Sequence, residues 1–348
     1  MSVKYINLAL QGGGSHGAFT WGVLDRLLEE KNLKIEGISG TSAGAINGAL
    51  VATGIITAGR QEAQKNLDKF WHSVANIAPQ PIILPFLSWT PNTFFPFGFW
   101  FDYLSQLFSP YDINPFNYNP IRSILRESIN FECLRKTDKI KIYVSATNVE
   151  TNRIKVFENK DICLESLLAS ICLPNISQAV EWNESFFWDG GFMGNPILEP
   201  LIYNCTSKDL MIVHVNPIER KGIPKKSSDI ANRMNEVTFN ASLMREIRNI
   251  FNIQKLSDGK WCDQENPYAT LRLHTISDEK FMTTLGPNSK FNIRVDFLNT
   301  LKEKGREAAS IWLKENYKHI GVKMSMDLTN WHFETPTTTC LKWDANDQ

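Results

Sequence analysis

Gly40-Thr41-Ser42-Ala43-Gly44 places a serine with a glycine two residues before it and another two after. That spacing suits a nucleophile elbow, a tight strand-to-helix turn that presents a strained serine. A bulky side chain at Gly40 or Gly44 would collide with the adjoining strand or helix. The plainer alternative is a turn in which Ser42 only caps the next helix. The flanks favour the elbow. Ile35 to Ser39 has the pattern of a short strand, and Ala43 to Leu50 is rich in small, helix-forming residues.

A nucleophilic serine also needs donors for the developing oxyanion and a base. Gly12-Gly13-Gly14-Ser15-His16-Gly17 can supply the donors, as exposed amides at a helix N-terminus that a substrate can approach closely. Each such donor contributes about 3 kcal/mol of transition-state stabilisation. The same residues match G-x-G-x-x-G, with Glu36 where a dinucleotide-binding protein carries its ribose acid. Against that alternative, a ribose-binding acid ends its strand, whereas this strand continues through Ile38 into the elbow. Two consecutive parallel strands end on one edge, so a glycine loop after the first can sit beside a serine after the second.

None of the six histidines sits in a motif: His16, His72, His214, His274, His319 and His332. His214 falls in a buried-strand pattern and reads as core, and His16 as a helix N-terminal residue or an anion contact. The α/β-hydrolase order, with its elbow after several strands, does not fit an elbow after the second. Trp188-Asp189-Gly190-Gly191 offers a better base. Asp-Gly is a common hairpin-turn dipeptide, so a plain turn is the alternative. Phe186, Phe187, Phe192 and Met193 surround it with apolar groups. Desolvation there raises the basicity of a carboxylate, which can then take the serine proton directly.

The elements that must hold these residues follow from pattern. Strands are expected at Tyr5 to Leu10 and Ile35 to Ser39, with helices at Ala18 to Glu30, Ser42 to about Thr53 and Ala58 to Ser73. A β-α-β-α opening implies a parallel sheet with helices on its faces. Further strands are expected at Lys141 to Asn148, Arg153 to Phe157, Leu210 to Val215 and Leu271 to Ile276. Ala179 to Trp182 and Ser185 to Trp188 form a hairpin over Asn183-Glu184. Helices are expected at Pro120 to Ser128, Leu164 to Ser170 and Val295 to Tyr317, with Ser228 to Leu256 one long amphipathic helix or a broken pair.

The ordered G-G-G-x-x-G, G-x-S-x-G and D-G-G motifs together resemble the patatin-like phospholipases over residues 5–215. Ala169-Ser170-Ile171-Cys172-Leu173-Pro174 is similar to the family's A-S-x-x-x-P segment, and Asn232-Arg233-Met234-Asn235-Glu236 resembles bacterial members. The resemblance implies a single three-layer α/β/α domain with a mainly parallel central sheet. It implies Ser42 as nucleophile, Asp189 as base and the amides of Gly12, Gly13 and Gly14 as oxyanion hole. It also implies acyl-ester hydrolysis of lipids, usually phospholipids, without calcium, metal or other cofactor. His16 departs from the pattern, since many members carry arginine after the glycines. A dinucleotide-binding protein, or a regulatory protein on the same scaffold that needs a partner for activity, are the alternatives.

The chain has 348 residues, enough for one large α/β domain, and its 37 basic and 37 acidic side chains balance. No long charge run points to nucleic acid. Cys133, Cys163, Cys172, Cys205, Cys262 and Cys340 lack metal or disulfide spacing and suit a reducing, cytoplasmic setting. The N-terminal apolar run is too short for a signal peptide. Ser73 to Phe101 carries no charge, but Pro79, Pro81, Pro85, Pro91 and Pro96 rule out a spanning helix. Most of this stretch lies in an aromatic, proline-rich insertion at 76–118, expected to act as a lid or lipid-interface surface, with a satellite core packed on the sheet as the alternative. The division expected is a core at 1–215 containing that insertion, a helical extension of the same domain at 216–323 and an irregular tail at 324–348.

Overall fold

The computed structural model describes residues 2–77, 109–258 and 266–326. The first strand β1 (Lys4–Leu10) leads through the glycine loop into helix α1 (Gly17–Leu27), and β2 (Leu33–Thr41) leads into α2 (Ala43–Thr57). Helix α3 (Arg60–Ala75) starts two residues later than expected because Gly59 breaks the chain at φ 94°. After α4 (Ile121–Ser128) and α5 (Phe131–Lys136) come β3 (Lys141–Asn148), β4 (Ile154–Glu158) and α6 (Leu164–Ser170). A hairpin of β5 (Val180–Trp182) and β6 (Ser185–Asp189) turns on Asn183 and Glu184, both at positive φ as a tight two-residue turn requires. The chain continues through α7 (Glu199–Asn204), β7 (Asp209–Val213), α8 (Ser227–Asp258), β8 (Arg272–Ile276) and α9 (Val295–Asn316).

The strands form one sheet in the order β5-β6-β3-β2-β1-β7-β8, with β4 paired to β3. Pairings among β1, β2, β3, β7 and β8 are parallel, and those of β4, β5 and β6 are antiparallel. Alternation sends side chains to two cores. Ile6, Leu8 and Leu10 of β1 join Met211 and Val213 of β7 on the face covered by α1, α2, α3 and α9. Ala9 of β1 joins Leu210 and Ile212 on the face covered by α7 and α8. The result is a mostly parallel α/β/α three-layer fold, as the opening pattern implies.

Two short helices, α5 and α7, lack a sequence pattern long enough to announce them. The strand expected over Leu210 to Val215 stops at Val213, because the amides of Val215 and Asn216 turn to the side chain of Gln11. Most of the 76–118 insertion and most of the 324–348 tail lie outside the described residues, as do Cys262, His332 and Cys340. Among the described residues no helix is long and apolar enough to cross a membrane.

Candidate active site

Ser42 stands between β2 and α2 at φ 54° and ψ −125°. This backbone conformation is strained for a side-chain-bearing residue, at about 1–3 kcal/mol, and persists only where the surroundings enforce it. They do so by close packing. A Cβ at Gly40 would lie 2.6 Å from the amide of Ala45, and one at Gly44 would overlap the carbonyl of Leu10 at the end of β1. The Ser42 amide donates to Ser170 Oγ at the end of α6, over 2.8 Å. Ser42 therefore does more than cap a helix; no side-chain cap bond is made at this N-terminus.

Register brings Asp189 to it. Thr41, the last residue of β2, pairs with Ser145 of β3, and Asp189, the last residue of β6, pairs with Ala146. Ala146 has Lys155 of β4 on its other side. Strands β2 and β6 therefore occupy the same edge of β3, one ending where the other arrives. The elbow and the carboxylate meet at neighbouring positions although they lie 147 positions apart in sequence.

Asp189 is 1% exposed and Ser42 is 8% exposed. Carboxylate oxygen Oδ1 accepts the Gly191 amide at 2.7 Å, while buried Oδ2 has no partner of hydrogen-bonding geometry among the described residues. Burial pushes the carboxyl up to about 7, and the Gly191 amide, the Ser42 side chain and the charge on Lys290 all act in the opposite direction. A serine beside a carboxyl poised near neutrality can pass its proton to it. The buried Cys172 is no competing nucleophile, since burial and the adjacent Asp189 push its thiol up to about 12.

The glycine loop adjoins the elbow directly. A Cβ at Gly12 would lie 2.7 Å from Ser42 Cβ and 2.6 Å from the Thr41 carbonyl. Of the three glycines expected to donate, Gly12 does not offer its amide: it donates to Asn195 Oδ1 at 2.6 Å. That bond belongs to a buried set of amide side chains. Gln11 accepts from Val215 and Asn216 at 2.8 Å each and donates to Asn240 Oδ1 at 2.8 Å. Asn216 donates to the Gly12 carbonyl at 2.8 Å. Gly12 is thus the anchor of the loop, and no described residue accepts from the amides of Gly13 or Gly14.

His16 is buried and its Nε2 lies 2.8 Å from Ser289 Oγ. Burial, with the nearby Lys290 charge, pushes it down to about 3, so it is neutral near pH 7. His214 is buried near Asn240, and burial pushes it down to about 4. Glu36 lies towards the opposite end of the sheet, where it accepts the amides of Thr206 and Ser207 at 2.6 and 2.8 Å. It cannot reach a ligand at the glycine loop, which removes the acid from the dinucleotide reading.

Sequence reasoning did not assign roles to Gln11, Asn195, Asn216, Asn240, Ser170 or Lys290. The one local signal was polar residues set inside apolar runs, as at Gln11 after β1.

A family model described as patatin-like phospholipase matches residues 8–202. Comparison with curated proteins finds no match. Among solved structures the chain is similar to VipD from Legionella pneumophila, at 12% identity and a TM-score of 0.42, over 90% of this chain and 67% of that one.

Proposed function

From the chain's membership of the patatin-like phospholipase family, we propose that it hydrolyses acyl esters of lipids through a Ser42–Asp189 dyad. The observation that supports this most is the shared edge of β3, where the strained end of β2 meets the buried carboxylate ending β6. In this reading Ser42 Oγ gives its proton to Asp189 and attacks the ester carbonyl carbon. The carbonyl π electrons move to oxygen, and the amides of Gly13 and Gly14 stabilise that charge. The intermediate collapses, the carbon–oxygen bond to the alcohol breaks, and the alkoxide takes the proton from Asp189. Water then attacks the acyl-serine, losing its proton to Asp189. Collapse releases the fatty acid, and Ser42 recovers the proton.

No metal or cofactor is needed for this sequence of steps. A lipid interface presents the substrate, and the 76–118 insertion is a candidate contact with it. We take 1–215 as the catalytic core and 216–323 as its extension, which adds a strand and two long helices to the same fold.

The test is fatty-acid release from a mixed lipid extract, read by mass spectrometry, with labelling by a fluorophosphonate. Ser42→Ala should remove both while the fold survives. Unchanged release in that variant, or loss of activity in a histidine variant alone, would overturn the dyad.

A further inference from the structure

Lys290 bridges the two halves of the site. It belongs to the short turn Pro287–Phe291. Its carbonyl oxygen packs so closely on Gly14 that a Cβ there would overlap it, and its neighbour Ser289 lies against His16. Its Nζ donates to Asn235 Oδ1 at 2.7 Å and sits 5.7 Å from the centre of the Phe239 ring. That ring presses on Gly191, whose amide holds Asp189. Lys290 thus touches the oxyanion loop with its backbone and the support of the base with its side chain.

Its charge feels Glu236 and Asp189 but has no direct ion-pair partner. Among the described residues no carboxylate lies within ion-pairing distance of Nζ. The acid that acts on it most, Glu236, is already held by Arg220 at 2.8 Å and Arg233 at 3.1 Å. An ammonium has three donors, and a neutral amide takes one of them. Lys290 is half-buried, and burial pushes it down to about 8, which leaves most of it charged at neutral pH. A half-buried cation with spare donors beside a reaction centre is stabilised by an incoming anion. On a glycerophospholipid the phosphodiester sits on the glycerol carbon next to the sn-2 acyl ester and one carbon farther from the sn-1 ester. A site that holds the ester at Ser42 must therefore accommodate the phosphate close by.

We propose that Lys290 is the cationic contact for the phosphodiester of the lipid substrate and favours phospholipid over neutral glyceride. This rests on the lipid acyl hydrolase reading above. The experiment is equilibrium binding to the full chain of a short-chain diether phosphatidylcholine, which cannot be hydrolysed at the acyl position. A dialkylglycerol with the same chains is measured in parallel. Lys290→Met should weaken the phospholipid roughly tenfold to a hundredfold relative to the glycerol, the range for one charged hydrogen bond. Lys290→Arg should restore most of the preference. Equal losses for both lipids, as a merely structural lysine would give, overturn the proposal, and so does an unchanged ratio. Inorganic phosphate binding as tightly as the diether lipid overturns the headgroup assignment in favour of a free-anion site. Fluorophosphonate labelling of the unmodified chain separates the two readings: labelling without a phospholipid preference sinks only this one, and absent labelling sinks the hydrolase.

Discussion

Asp189→Asn should cripple turnover and yet stabilise the fold at higher pH. Burial pushes this carboxyl from 3.8 to about 7. Because the folded value is the higher, the folded chain keeps the proton across that window while the unfolded chain releases it. Stability therefore falls as pH rises from 3.8 to about 7 and levels off above. A shift of this size corresponds to about 4 kcal/mol. Asparagine never ionises, so the variant escapes that loss. Its Oδ1 can keep the Gly191 bond, but an amide in place of the unpartnered Oδ2 costs about 1–3 kcal/mol at every pH. Glu246, also pushed to about 7 by burial, titrates in both proteins and cancels. The quantity to follow is the difference in unfolding free energy between variant and parent, from urea denaturation between about pH 4 and pH 8. It should move in favour of the variant by up to about 4 kcal/mol across that range. A difference that stays flat with pH refutes a carboxyl raised by burial.

In the parent, kcat/KM should fall about tenfold per pH unit below about 7, since the base must be ionised. His16→Gln should leave the inflection of that profile in place, because His16 is neutral throughout; an inflection that moves would make it a participant. Gly12→Ala forces a Cβ to within 2.7 Å of Ser42 Cβ, so hydrolysis should fall by about a hundredfold in a chain that still melts cooperatively. Ser170→Ala leaves the Ser42 amide without its acceptor and should lower stability by about 1–3 kcal/mol, measured by urea denaturation.

The parts of the site differ in how far sequence could reveal them. The elbow is a local device: Gly40 and Gly44 are required by contacts within the β1-β2-α2 unit, so their spacing in sequence carries the geometry. The strands β1, β2 and β3 announce themselves through short apolar segments that feed a sheet covered on both faces. The meeting of Ser42 with Asp189 is of another kind. It depends on β2 ending at Ser145 and β6 pairing from Ala146 onward, a register that no local window contains. The apolar residues around Asp189 revealed that its carboxyl would be buried, but not what would bury it.

Groups from beyond the family match complete the packing around the site. The match ends at residue 202, yet Phe239 packs on Gly191, Ser242 accepts the amide of Asn195 at 3.2 Å, and Lys290 adjoins Gly14. Helix α8 and the turn at Pro287–Phe291 therefore close the site that the matched segment opens. Asp189 itself bonds to residues inside the match, Thr147, Cys172 and Gly191, while the ring packed on Gly191 and the charge of Lys290 come from outside it. Changes to α8 that spare Ser42 and Asp189 should for that reason act first on the pH profile, through hydration of Asp189, before they act on the shape of the elbow.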